Sequence, residues 1–166
     1  MICAQYGGAA ADRIAFDEGN AALRLVPWGG VAAVLERETF PASRAFTFLP
    51  LRIETNLPVH INAFFELHTA RNTIEYAASL SSLSGEARLR CEWNIALLES
   101  VVAPCYARVL QATARLAIVH PPPTHPSQGS HPAQRHVALL PARIPDKPWG
   151  LVTHSLPRLI ESLPIL

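Results

Sequence analysis

Between Val59 and Leu67 the chain alternates: Val59, Ile61, Ala63, Phe65 and Leu67 are apolar, and His60, Asn62 and Glu66 fall between them. Only a strand sends successive side chains to opposite faces, so this period of two predicts a half-buried β-strand. Pro58 opens it, and a residue without a backbone donor suits a first position. A second apolar run, Ala45, Phe46, Phe48, Leu49 and Leu51, comes just before and is expected to stop at Pro50. Residues 23–35 predict a strand, a turn at Pro27, Trp28, Gly29 and Gly30, and a short apolar element, with Trp28 as a packing anchor.

Farther along the period becomes helical. Leu97, Val101, Cys105 and Val109 recur every four residues, and Leu98, Val102, Tyr106 and Leu110 repeat the spacing beside them. Two adjoining stripes predict a wide helical face pressed on a core. Pro104 lies inside the pattern and removes a ladder bond, which predicts a kink or two abutting helices. A helical turn is expected at 74–78, a loop at 79–85 and a strand at 137–140. Residues 149–163 predict a last amphipathic helix with Pro148 near its start and Pro157 inside. Residues 1–16, small and apolar and broken at Gly7-Gly8, read as the interior of a longer domain entered midway. The expected class is α+β: a small mixed or antiparallel sheet packed by a long kinked C-terminal helix, within one partial domain, 1–166.

Length supports a single domain that buries about two-thirds of its unfolded surface. Charge narrows the partners. The 14 Lys and Arg against 13 Asp and Glu leave a net +1, which carries no electrostatic footprint for nucleic acid or an acidic membrane. No uninterrupted apolar run reaches the ~18 residues of a spanning helix, so neither nucleic acid nor a membrane is expected as partner. The first residues lack a cationic start followed by a long apolar stretch, so no secretory signal is expected. Cys3, Cys91 and Cys105 are odd in number and form no C-x-x-C pair. They read as reduced thiols of an intracellular, cytoplasmic protein rather than a disulfide framework.

Candidate chemistry is sparse. Residues 119–136 are rich in proline and histidine and predict a disordered insertion. His120, His125, His131 and His136 lie in it, but no scaffold gathers them into a tetrahedron, so no metal is expected. No phosphate-binding G-x-x-x-x-G-K-[ST], no G-x-G-x-x-G and no G-x-S-x-G occurs. His60, Glu66 and Cys91 could be assembled into a hydrolase only on paper, since nothing in the sequence brings them within reach. The chain is not expected to be an enzyme.

The segment FTFLPLRIETNLPVHINAFFEL, residues 46–67, closely resembles a signature of the sacsin-like family, F-x-F-L-P-L-P-I-x-T-G-L-P-V-H-V-N-G-x-F-x-L. It supplies Phe48, Leu49, Pro50, Leu57, Pro58, His60, Asn62 and Phe65. LVPWGGVAA at 25–33, with Pro27, Trp28, Gly29 and Gly30, resembles the family's L-x-P-W-G-G-V-A-A. RCEWNIALLESVVAPCYARVL at 90–110, with Trp93, Asn94, Pro104 and Tyr106, resembles its R-x-x-W-N-x-x-L-L-E-D-V-x-A-P-x-Y-A-x-L-L. Residues 137–141 with Pro148-Trp149 resemble a later strand and its P-W.

The resemblance implies a very large intracellular protein built from repeated regions. The first part of each repeat is similar to the ATP-binding (GHKL) domain of the ninety-kilodalton heat-shock chaperones. It implies work in protein quality control, with chaperone machinery or client proteins as partners and, in some relatives, the ubiquitin system. ATP binding in that fold needs an acidic residue four positions before an Asn on a helix, an Asp-x-Gly and a glycine-rich lid. Asn20, Asn56, Asn62, Asn72 and Asn94 all lack a Glu four positions earlier, and Asp17-Glu18-Gly19 has no lid after it. The resemblance thus implies an incomplete GHKL-like domain, without a cofactor here although intact members take ATP. Arg71 is the retained cation of the family's Asn-Arg-Arg, and would contact phosphate only in an intact parent. Asn56 replaces a family glycine and tolerates positive φ better than most residues, so the turn is expected to survive; Ala63 replaces another. The expected function is that of a fragment of a sacsin-like chaperone or co-chaperone acting through protein contacts. The alternatives are part of an ATP-dependent ATPase completed by another segment, or a non-functional truncation.

Overall fold

The computed structural model describes residues 1–35, 42–119 and 132–162. Five strands, β1 (Ile2–Tyr6), β2 (Trp28–Ala32), β3 (Arg44–Thr47), β4 (Leu49–Glu54) and β5 (His60–Ala63), form one sheet. Their order is β1-β2-β5-β3-β4. β3 runs parallel to β5, and every other neighbouring pair is antiparallel. The fold is thus α+β with a mixed sheet. The predicted alternation holds from Val59 to Phe65: Val59, Ile61, Ala63 and Phe65 are buried and His60, Asn62 and Phe64 between them are half-buried, while Leu67, also expected inward, is half-buried. β5 itself is shorter than predicted, because Leu67 leaves it to bridge Ile74. That excursion replaces the helical turn expected at 74–78.

Two turn predictions fail, each for a physical reason. Pro50 does not stop a strand; it lies within β4, opposite Phe46. β4 ends the sheet and pairs on one side only, so a missing donor there can be accommodated. The chain reverses instead at Phe48, whose φ is +60°. Trp28, Gly29 and Gly30 likewise belong to β2, not to a turn. The glycines serve close approach: a Cβ on Gly29 would come within 3.2 Å of a Val101 methyl, and one on Gly30 within 3.0 Å of the Cys3 carbonyl. The turn at Asn56 does adopt the left-handed region, with φ +54°.

Helix α1 (Ala9–Ala15) follows β1, and a long helix carries the core. It runs as α2 (Gly85–Leu97), one widened π turn (Leu98–Val102) and α3 (Ala103–Val119). Both predicted stripes are fully buried. Most residues from 96 to 110 are buried too, because α3 packs on β1 and β2 and also on α4 (Pro132–Ala138) and α5 (Gly150–Ser162). A helix apolar nearly all round is a core helix. By length and composition Gly85–Val119 would also pass as a membrane span, unlike the expectation from uninterrupted runs, and 61% of the 18-residue apolar window that qualifies it is buried inside the fold. The helix is central rather than C-terminal, since α4 and α5 come after it.

Helix α4 replaces the strand expected at 137–140. It also takes in residues 132–136, assigned above to the disordered insertion. Proline is favoured at a first helical position, where no intrahelical donor is needed, and His136 meets Thr113 of α3 at 2.9 Å. His120, His125 and His131 lie outside the described residues.

The π turn is how Pro104 is accommodated. Proline lacks an N–H, and its ring crowds the carbonyl four residues back, here that of Ser100. Widening the preceding turn relieves this, and the Ala103 N–H donates to Leu98, five residues back. The Ser100 carbonyl then accepts from Gln5 Nε2 at 3.3 Å, while the Ser100 hydroxyl accepts from the Ala11 N–H at 3.2 Å and donates to the Ala96 carbonyl. One turn thereby anchors both β1 and α1.

Tyr106 gives a test of this interior by pH. Its hydroxyl donates to the Leu139 carbonyl at 2.5 Å, and burial pushes its pKa well above the ordinary phenol value. A pKa raised by folding contributes stability that is complete below about pH 10, the unfolded tyrosine value, and is lost as pH rises toward the folded one. Spectrophotometric titration of the folded chain should show Tyr106 ionising only as near-ultraviolet circular dichroism is lost. Tyr106→Phe should remove that coupling and cost about 1–2 kcal/mol for the orphaned carbonyl.

Candidate functional site

The helices cover one face of the sheet. Strand alternation sends Ile2, Ala4, Trp28, Phe46, His60 and Asn62 to the other, where they line a groove of about 310 Å³ with an apolar surface. Phe64 lies half-buried beside it, edge-on to Trp28 at 5.9 Å and to Phe48 at 4.7 Å. Phe46 meets the His60 ring edge-on at 5.9 Å. Phe48 and Leu49 at the β3–β4 turn are 68% and 76% exposed, and Ile2 on β1 is 78% exposed. The two polar side chains of the groove support the backbone: His60 Nδ1 accepts from the Arg44 N–H at 3.2 Å, and Asn62 Oδ1 from the Phe48 N–H at 3.4 Å. This arrangement can hold apolar side chains.

The remaining signature residues stitch helix to sheet. Trp93 and Asn94 are both 0% exposed. Trp93 Nε1 donates to the Phe64 carbonyl at 2.9 Å. Asn94 Oδ1 accepts from the Glu66 N–H at 2.9 Å, and Asn94 Nδ2 donates to the carbonyls of Glu66 at 2.7 Å and Glu75 at 2.8 Å. These bonds close the excursion from Leu67 to Ile74, and Arg90 reaches Glu66 from the same helix at 3.6 Å. Phe65 packs edge-on against Trp149 at 6.0 Å. The Pro27 carbonyl accepts from the Gly7 N–H at 2.6 Å.

Arg71 stands apart from the groove on that excursion, exposed, with φ +52° and its N–H donating to the His68 carbonyl at 2.7 Å. His60, Glu66 and Cys91 are not brought together. His60 lines the groove, whereas Cys91 is buried on α2, where burial and then the charge of Glu75 push its pKa up. Such a thiol is a poor nucleophile. Asp17 caps its own 3₁₀ turn, accepting from the Gly19 N–H at 2.8 Å. Among the described residues no cluster of three or more His, Cys, Asp or Glu could hold a metal.

Sequence reasoning missed Phe64 and Ile2 as surface residues. The alternation that buried Phe65 already placed Phe64 on the opposite face; Ile2 gave no such signal.

No family model matches the chain, and no solved structure matches it. Sacsin of Homo sapiens is 32% identical over 114 residues, covering 66% of this chain. The chain spans 2% of the length of that relative. This likeness shows a sacsin-like relationship over 66% of the chain.

Proposed function

We propose that the chain is a contact module of a sacsin-like chaperone or co-chaperone, working in protein quality control in the cytoplasm without a nucleotide site of its own. Its sheet and long helix correspond, in this reading, to the part of a heat-shock-type (GHKL) repeat that follows the nucleotide pocket. The observation that carries the proposal is the outer sheet face, where an apolar groove adjoins exposed Phe48 and Leu49. Contiguous exposed apolar surface on a folded chain marks a place where another protein binds. The carboxylate of Asp17, the one letter match to an adenine reader, is engaged within its own turn.

A fluorescent, extended apolar peptide provides the test. The variant Phe46→Glu/Phe48→Asp changes only the outer face and should weaken peptide binding about tenfold, with secondary structure intact. Equal binding by the variant would remove the groove from the function. Micromolar ATP binding by the unmodified chain in calorimetry would overturn the absence of a nucleotide site.

A further inference from the structure

Cys3 and Cys105 are far apart in sequence and adjacent in the fold. Cys3 pairs across the sheet with Val31, which is 1% exposed, so its side chain shares the inward face of β1. Cys105 projects from α3 toward the same strands, its thiol donating to the Gly29 carbonyl at 3.8 Å. Gly29 is opposite Gln5, two residues from Cys3 and on the same face. Gln5 in turn holds Arg108 of α3 at 2.9 Å, so β1 and α3 meet on the side from which both thiols project. Both cysteines are free, Cys3 half-buried and Cys105 buried.

We propose that Cys3 and Cys105 form a reversible disulfide that clips strand β1 to the central helix, made by exchange with a low-molecular-weight disulfide such as oxidised glutathione. The Cys3 thiolate attacks one glutathione sulfur, forming a mixed disulfide and releasing one glutathione thiolate. The Cys105 thiolate then attacks Cys3 Sγ, closing the protein disulfide and releasing the second. The two protons lost by the cysteines end on the two glutathione thiols, so two protein thiols are oxidised and one glutathione disulfide is reduced. Half-buried Cys3 is the sulfur a solution disulfide can reach. Because β1 pairs on one side only, it can shift inward to close the bond. Burial, first of all, holds the Cys105 thiol up, at about 12 in the reduced pair; like Cys91 it is a poor nucleophile at neutral pH, so the closing step should be slow at pH 7 and quicken as pH rises to 9. Ile2 and Ala4 of β1 line the outer groove, so the clip would also fix one wall of that surface.

The test treats the full chain with oxidised glutathione, blocks free thiols in denaturant and maps tryptic peptides by mass. The expected product joins residues 1–13 to residues 91–108 with the loss of two hydrogens. Cys91 and Cys105 share that second peptide, so the Cys91→Ser variant must give the same link. Closing a loop of about 100 residues should raise Tm by roughly 10 °C, reversed by dithiothreitol and absent in Cys3→Ser. A link to Cys91, a Cys3–glutathione adduct beside an alkylated Cys105, or three alkylated cysteines would each overturn the proposal. These readouts do not depend on peptide binding in the groove.

Discussion

Asn94→Ala should lower the free energy of unfolding by about 4 kcal/mol, measured by urea denaturation followed through tryptophan fluorescence. The side chain is wholly buried and makes three bonds to backbone on a segment that is not otherwise regular. Alanine leaves the Glu66 N–H and the Glu75 carbonyl without those partners. The Glu66 carbonyl still accepts from the Glu75 N–H at 2.9 Å, which limits the loss. Each buried orphan costs about 1–3 kcal/mol, and the vacated volume adds to it. Asn94→Asp separates polarity from shape. Nearly the same size, it keeps the acceptor facing the Glu66 N–H but turns a charged oxygen toward two carbonyls. It should be as damaging as alanine at pH 7 and recover part of the loss near pH 5, where a protonated acid can donate. A near-neutral Asn94→Asp would mean that packing rather than the stitch holds this segment.

Gly8→Ala should cost about 3 kcal/mol, visible as a drop in thermal midpoint. The reason is space. The φ of Gly8 is 175°, extended backbone open to any residue, but an added Cβ would fall 2.3 Å from the Ser100 carbonyl oxygen and 2.9 Å from its carbon. That obstacle is backbone, fixed by the π turn and by the bonds of Ser100 to Gln5 and Ala11. Relief requires α1 to move off the long helix. Gly19→Ala is the control, because its Cβ would meet only the Asp17 carboxylate, at 3.1 Å on an exposed turn. It should change stability by no more than about 0.5 kcal/mol. Equal effects at the two glycines would show that the close approach at Ser100 relaxes freely.

What could be read from the chain follows from how local each cause was. The alternation from Val59 to Phe65 was legible because one face meets helices and the other does not. The stripes from Leu97 to Leu110 were legible because their four-residue spacing is a local signal of helix, and Asn56 because positive φ favours few residues. Pro27 to Gly30 misled because Gly-Gly commonly means a turn. Here the missing side chains admit Val101 and the backbone of Cys3, partners distant in sequence. Pro50 misled because edge and centre strands look alike until the strand order is known. Residues 137–140 misled because a short apolar run fits helix or strand equally. Of the candidate site, the signature named Trp28, Phe48, His60 and Asn62, and the alternation set His60 and Asn62 opposite the apolar face, whereas Arg71 lies elsewhere. The bonds of Trp93 and Asn94 go to backbone carbonyls and amides, which carry no side-chain signal.

The π turn has a consequence for how this helix can vary in length. Each residue advances an α-helix by about 100°, and a turn closed five residues back holds one residue more than a turn closed four back. The turn between Leu98 and Val102 therefore takes up that residue locally and leaves Tyr106 and Arg108 of α3 in phase. Codon loss at this point would spare the register of the molecule's main axle, and its cost would fall instead on the Pro104 ring, brought back against a carbonyl four residues behind it.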